Sequence, residues 1–308
     1  MSIIIQKGDE KMNEKVVTHY VYSFSAANKP AQTVNPGEIV TLKTLDCFSG
    51  QISNADDLVT AVDFTKVNPA TGPVYVNGAE PGDLLVVDII SIDVADKGIG
   101  VTAPGVGPLA DQVDTRTKII PIHDEKAVFN DIEFPIEPMI GVIGVAPKDE
   151  DIPCGFPGAH GGNLDNNKIV AGSRLYFPVH VPGALFQCGD LHASMGDGEI
   201  IGAGLEIAGS VQVKVDVVKQ FPSERPIMET KDKWYTIATA DEYNEALKLA
   251  TTDMQQFIMK AYNWDATDAG IYMSIQGDIE VCQSCKPSDL DLVLRFGIPK
   301  QPSKPLVK

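Results

Sequence analysis

The chain has 308 residues, 44% of them hydrophobic, and carries 25 basic against 42 acidic side chains, a net charge of −17. That apolar content supports a packed core rather than disorder, and the negative balance repels nucleic-acid phosphates and anionic membrane surfaces, so neither is an expected partner. No apolar run approaches the roughly 18 residues that a membrane helix needs.

The opening segment, MSIIIQKGDEKMNEKVV, has an apolar run of only three residues before its charges and does not read as a secretory signal. Five cysteines, an odd number in a chain of this length, fit a reducing compartment, and a cytoplasmic location is expected. Residues 16–23 alternate as a first strand, and Asn35-Pro36-Gly37 turns the chain into a second strand that ends at Asp46. A helical-period pattern around Leu58, Val59, Val62 and Phe64 follows. Beyond it, Pro69, Gly72-Pro73, Gly78 and Pro81-Gly82 punctuate two β-rich runs. The proline-broken runs of residues 98–147 fit edge strands or barrel corners.

From 204 to 221 the alternation of Val211, Val213, Val215 and Val217 with Gln212, Lys214 and Asp216 marks a strand with one buried face. After a connector, FPSERP, residues 240–263 space Ala246, Leu247, Ala250, Met254, Phe257 and Ile258 as one face of a helix. A second helix is expected over 266–275 with Asp265 as its cap, followed by two strands. The expected fold is mostly β, a sandwich or barrel over residues 1–221 that carries the site, with a smaller C-terminal α+β unit over 222–308. Edges interrupted by proline need covering, and a homodimer is the expected assembly.

Residues 155–206 are the densest stretch, with eleven of the 27 glycines and three of the five histidines. In Asp190-Leu191-His192 the first and third side chains share a face if the segment is extended, with Leu191 turned away. Asp197-Gly198-Glu199 repeats that spacing. A lone aspartate in a glycine-rich loop is usually a turn residue, and an Asp–His pair often serves only to fix a tautomer. Three carboxylates crowded beside an imidazole would repel one another, however, and a bound cation resolves that conflict. His160 is a candidate ligand or substrate contact, whereas His180, in the apolar FPVHV, reads as a core histidine.

Cys282-Gln283-Ser284-Cys285 has CxxC spacing but lacks a second pair or a redox-type βαβ setting, so it reads as two small residues of a strand. Cys154 and Cys188 are candidate nucleophiles with no histidine motif beside them.

The segments HGGNLD (160–165), AGSRLYFPVHVPGALF (171–186) and GDLHASMGDGEIIGAGLE (189–206) resemble the acetamidase/formamidase family. So do VNPGEIVTLKTLDCFSGQI (34–52) and NPATGPVYVNGAEPGDLLVVDI (68–89). The resemblance implies a mostly β fold, hydrolysis of a short aliphatic amide to carboxylate and ammonia, and a divalent metal. Met195 stands where many relatives carry glutamine.

Such hydrolysis needs a polarised carbonyl, an activated water and a proton for the leaving amine. Asp46, Asp190 and His192 are the expected metal ligands, Asp46 through its matching TLDCFSGQ segment, with Glu199 as general base and Asp197 as ligand or second catalytic carboxylate. His160, Asn163 and Asp165 are expected substrate contacts. Zinc suits the histidine-containing set, while calcium would suit an all-oxygen set of Asn163, Asp165, Asp197 and Glu199. Two other functions remain open: an amidase with a cysteine nucleophile, and a non-catalytic metal- or sugar-binding β-sandwich.

Overall fold

The computed structural model describes residues 15–307; most of the opening segment, residues 1–14, lies outside the described residues. The fold is mostly β, as expected, built on two large sheets with two helices, α1 (Tyr243–Tyr262) and α2 (Ala266–Gln276). The first sheet has nine strands in the order Lys15–Val17, Ile39–Thr44, Gly209–Val218, Leu84–Val94, Arg174–Pro178, Ile227–Glu229, Lys233–Ala240, Leu292–Pro299, Asp278–Gln283. Residues before and after position 221 therefore share one sheet, joined where Arg174–Pro178 pairs antiparallel with Ile227–Glu229.

Alternation along the strands explains the layering. In Leu84–Val94, Leu85 and Val87 enter the central core with Leu42, Val211, Val213 and Val215, while Leu84 and Val86 face the other way. Successive strand side chains point to opposite faces, so one strand serves two cores. The outer face is covered by α1 and α2 through Met254, Phe257, Ile258 and Met273. Ala246, Ala250, Met254 and Ile258 of α1 are all buried, a four-residue spacing that keeps one stripe against the sheet. The helix stops at Asn263, whose φ of 56° is the left-handed closing geometry that asparagine tolerates. The Asp265 side chain accepts from Asp268 N at 2.8 Å and caps α2, as the sequence suggested.

The second sheet supplies the other half of the central core through Ile140, Ile143, Phe186, Leu191 and Ile207. Its middle is Phe186–His192, which pairs antiparallel with Met139–Gly144, Glu206–Ile207 and Ala70–Val76. The proline-broken runs form its outer hairpins, Arg116–His123, Lys126–Phe129 and Ile132–Pro135.

The helical pattern at 51–66 is not a helix: only two short 3-10 turns, Val59–Ala61 and Phe64–Lys66, occur there. Local side chains take the backbone donors instead, Asp57 from Ser53 N at 2.8 Å and Asp63 from Thr65 N at 3.1 Å. Such short acceptors compete with helix formation.

Candidate functional site

Four carboxylates converge on one imidazole inside the second sheet. His192 Nε2 lies 3.2 Å from Glu206 Oε2, 3.7 Å from Asp190 Oδ1 and 3.9 Å from Asp165 Oδ1. Glu199 joins Asp165 and His192 in a group whose candidate ligand atoms lie within 4.8 Å of one another, and Cys47, Asp190 and Glu206 form a second such group. All of these residues are buried.

The backbone that delivers them is regular in part and strained in part. His192 sits opposite Glu206 in the antiparallel register, so their contact is a cross-strand pair. Leu191 points into the core, as expected. Asp165, Asp190 and Glu199 have φ of 38°, 53° and 40°. Left-handed backbone at non-glycine residues costs on the order of 1–3 kcal/mol each and clusters at functional sites. Gly141 makes the convergence possible, because a Cβ there would stand 2.7 Å from both Asp165 Oδ1 and Asp190 Oδ2.

Amide side chains hold the outer oxygens. Asn163 Nδ2 and Gln283 Nε2 each donate to Asp165 Oδ2 at 2.6 Å, and Asn68 Nδ2 donates to Asp190 Oδ2 at 3.2 Å. Gly204 N donates to Glu206 Oε1 at 3.1 Å. What remains is a set of buried atoms without a hydrogen-bond partner: Asp165 Oδ1, Asp190 Oδ1, Glu206 Oε2 and His192 Nδ1. Among the described residues, no lysine or arginine pairs with any of the four carboxylates.

Burial dominates the electrostatics. It pushes the Asp165 carboxyl well above its usual range, reinforced by Glu199 and Asp190, and it raises Glu199 to about 7. Glu206 is raised for the same reason. Burial alone would lower His192, but Glu206 and Asp190 beside it outweigh that and hold the imidazole well above its ordinary value. Without a cation the cluster thus retains protons in order to stay buried. One imidazole among several carboxylates, with free oxygens aimed together, fits a divalent metal ion.

Of the residues expected from the sequence, the structure brings together Asp190, His192, Asp165 and Glu199, with Asn163 behind Asp165. It does not bring in Asp46 or Asp197. The Asp46 Oδ1 accepts from Phe48 N at 2.9 Å and Gly50 N at 3.2 Å, closing a turn, and it is the adjacent Cys47 that joins Asp190 and Glu206. Asp197 is ion-paired with Arg295 at 2.6 Å, because the chain reverses at Gly198, whose φ is 100°. His160 is buried in a T-shaped contact with Phe24, and burial lowers it to about 4, so it is neutral at pH 7. Cys154 and Cys188 are buried, and burial raises both thiols to about 12, the opposite of an activated nucleophile.

Glu206, Cys47, Asn68 and Gln283 complete the cluster and carry no motif of their own in the sequence. Glu206 closes a motif already singled out, and only its pairing with His192 reveals its role. Gln283 lies inside the CxxC spacing, a pattern that points to its cysteines and not to the amide between them.

The sequence profile of the Acetamidase/Formamidase family matches residues 24–153 and 151–256. A formamidase from Methylophilus methylotrophus is 31% identical over 266 residues, which cover 64% of this chain and 64% of that protein. The chain spans less than two thirds of the length of the curated relatives it matches. Two crystal structures match across nearly the whole fold. An acetamidase from Bacillus halodurans is 40% identical, with TM-score 0.89 over 92% of this chain and 97% of that one. A predicted acetamidase/formamidase from Thermoanaerobacter tengcongensis is 41% identical, with TM-score 0.89 over 93% and 95%.

Proposed function

The chain belongs to the Acetamidase/Formamidase family, and from that premise we propose that it hydrolyses a short aliphatic amide to carboxylate and ammonia at the buried cluster. The observation that carries the reading is the packing of Asp165, Asp190, Glu199 and Glu206 around His192 with several oxygens unpartnered. A purely structural cluster would have closed those atoms with donors, since an unpaired buried polar group costs about 1–3 kcal/mol.

We assign His192, Asp190 and Asp165 as the residues that would hold a divalent cation, zinc in the first instance given the imidazole, with Glu206 beside His192. When bound, such an ion supplies Lewis acidity toward the amide carbonyl and lowers the pKa of an associated water.

The protein's own groups supply the rest. Asn163 and Gln283 occupy Asp165 Oδ2, which leaves Oδ1 turned toward His192. Glu199, held near 7 by burial, has the proton affinity to take a proton from water and return it to the leaving amine. Exclusion of water around these side chains strengthens each electrostatic contact. The acidic surface suits a neutral substrate and a small product cation.

Replacing Glu199 by Gln keeps the shape and removes the proton acceptor. We expect the metal content to persist while turnover of formamide or acetamide falls by about 10²- to 10⁴-fold. Full turnover in that variant, measured as ammonia release, would contradict the assignment.

A further inference from the structure

The C-terminal strand Asp278–Gln283 enters the site through one side chain. Its pairing with Leu292–Pro299 shifts register between Val281 and Gln283. A bulge of this kind re-aims the residue that follows it. Here it leaves Gln283 buried at 1% exposure, facing the cluster rather than the sheet's edge. The same strand end grips the loop that carries Glu199: Gly198 N donates to Cys282 O at 2.9 Å, and Ser284 N donates to Gly198 O at 2.8 Å.

Gln283 Nε2 then donates to two carboxylates from separate segments, Asp165 Oδ2 at 2.6 Å and Glu199 Oε2 at 3.3 Å. Both carboxylates sit on left-handed backbone, so neither is held by regular strand geometry. The other end of the amide, Oε1, is buried without a partner. An amide placed for stability alone would satisfy both ends. This one leaves its acceptor unpaired while its donor serves the two carboxylates.

Resting on the metal-dependent reading above, we propose that Gln283 is a positioning residue: it sets Asp165 and Glu199 relative to each other so that one can hold the cation and the other can move the proton. A neutral donor suits that task. It eases the repulsion between two acids without adding a positive charge, which a lysine would do at the expense of the cation. By this assignment residues after 222 are part of the site itself.

The test uses the full chain with Gln283→Met, which keeps the side chain's length and removes its donor. Zinc titration of the chelator-stripped protein should show affinity weakened by about 10- to 100-fold, the usual effect of removing a residue that orients a metal ligand. Turnover of acetamide should fall in kcat more than it changes in KM, and the stripped variant should melt within a few degrees of stripped wild type. Gln283→Asn, which keeps the amide but withdraws its donor from both carboxylates by one methylene, should weaken zinc in the same direction and decides the matter if the methionine variant does not fold. Zinc affinity equal to wild type in the folded variants overturns the proposal, as does an affinity loss that merely tracks a collapse of the stripped fold. Wild-type protein that takes up no zinc removes the metal-dependent reading, and this inference with it, which distinguishes the two failures.

Discussion

Two polar clusters, each centred on a buried side chain, lie side by side in this protein and are in opposite states. At Arg295, which is 0% exposed, each of the three guanidinium nitrogens has an acceptor: Nε donates to Glu280 Oε2 at 2.6 Å, Nη1 to Asn166 Oδ1 at 2.7 Å and Nη2 to Asp197 Oδ2 at 2.6 Å. One residue away from Asn166, Asp165 belongs to a group of acids around His192 that, among the described residues, pairs with no arginine or lysine and keeps unpartnered oxygens. The first is a closed network that ties the loop of Asp197 to the last strands of the first sheet. The second is open. The side chains at the two centres, Arg295 and His192, are both buried, so burial of a polar group does not mark a site; the unmatched charge does.

The largest effect on folding should come from breaking the closed cluster. Arg295→Met leaves Glu280 with Lys233 alone, 3.6 Å away, and Asp197 without its cation. The two acid side chains are 23% and 40% exposed, so both can reach water and the loss should sit below the full value for a buried pair, about 2–3 kcal/mol by denaturant unfolding. Unchanged stability would mean that the network is incidental.

The open cluster should respond with the opposite sign. Glu206→Gln removes one of the crowded acids, whose carboxyl burial already raises. The stripped protein should gain on the order of 1 kcal/mol, read as a higher melting temperature, while zinc binding weakens. A stripped variant less stable than wild type would place Glu206 among the structural groups instead.

The same contrast explains what could be read from the chain. The valine alternation around 211–217 and the four-residue spacing of α1 were legible, because burial on one face imposes a period. Asp190 and His192 were legible as an i, i+2 pair on a strand. Asp197 and Glu199 share that spacing, yet the turn at Gly198 sends one to Arg295 and the other to the cluster, and no period encodes the left-handed backbone that does this. Asp46 and Cys47 differ by one position, and the hydrogen bonds that close the turn decide which faces inward. Glu206 and Gln283 reach the site through strand pairing and a register shift, long-range features that the local sequence does not display.

The proposed function requires that a divalent cation complete the open cluster and that amide hydrolysis depend on it. Its direct measurement is ammonia release from acetamide and formamide by one preparation before chelation, after chelation, and after zinc is restored, with the metal content determined at each stage. Turnover should disappear with the metal and return with about one equivalent or more of zinc per chain, accompanied by a rise in melting temperature on reloading. Undiminished hydrolysis by protein shown to be free of metal would contradict it.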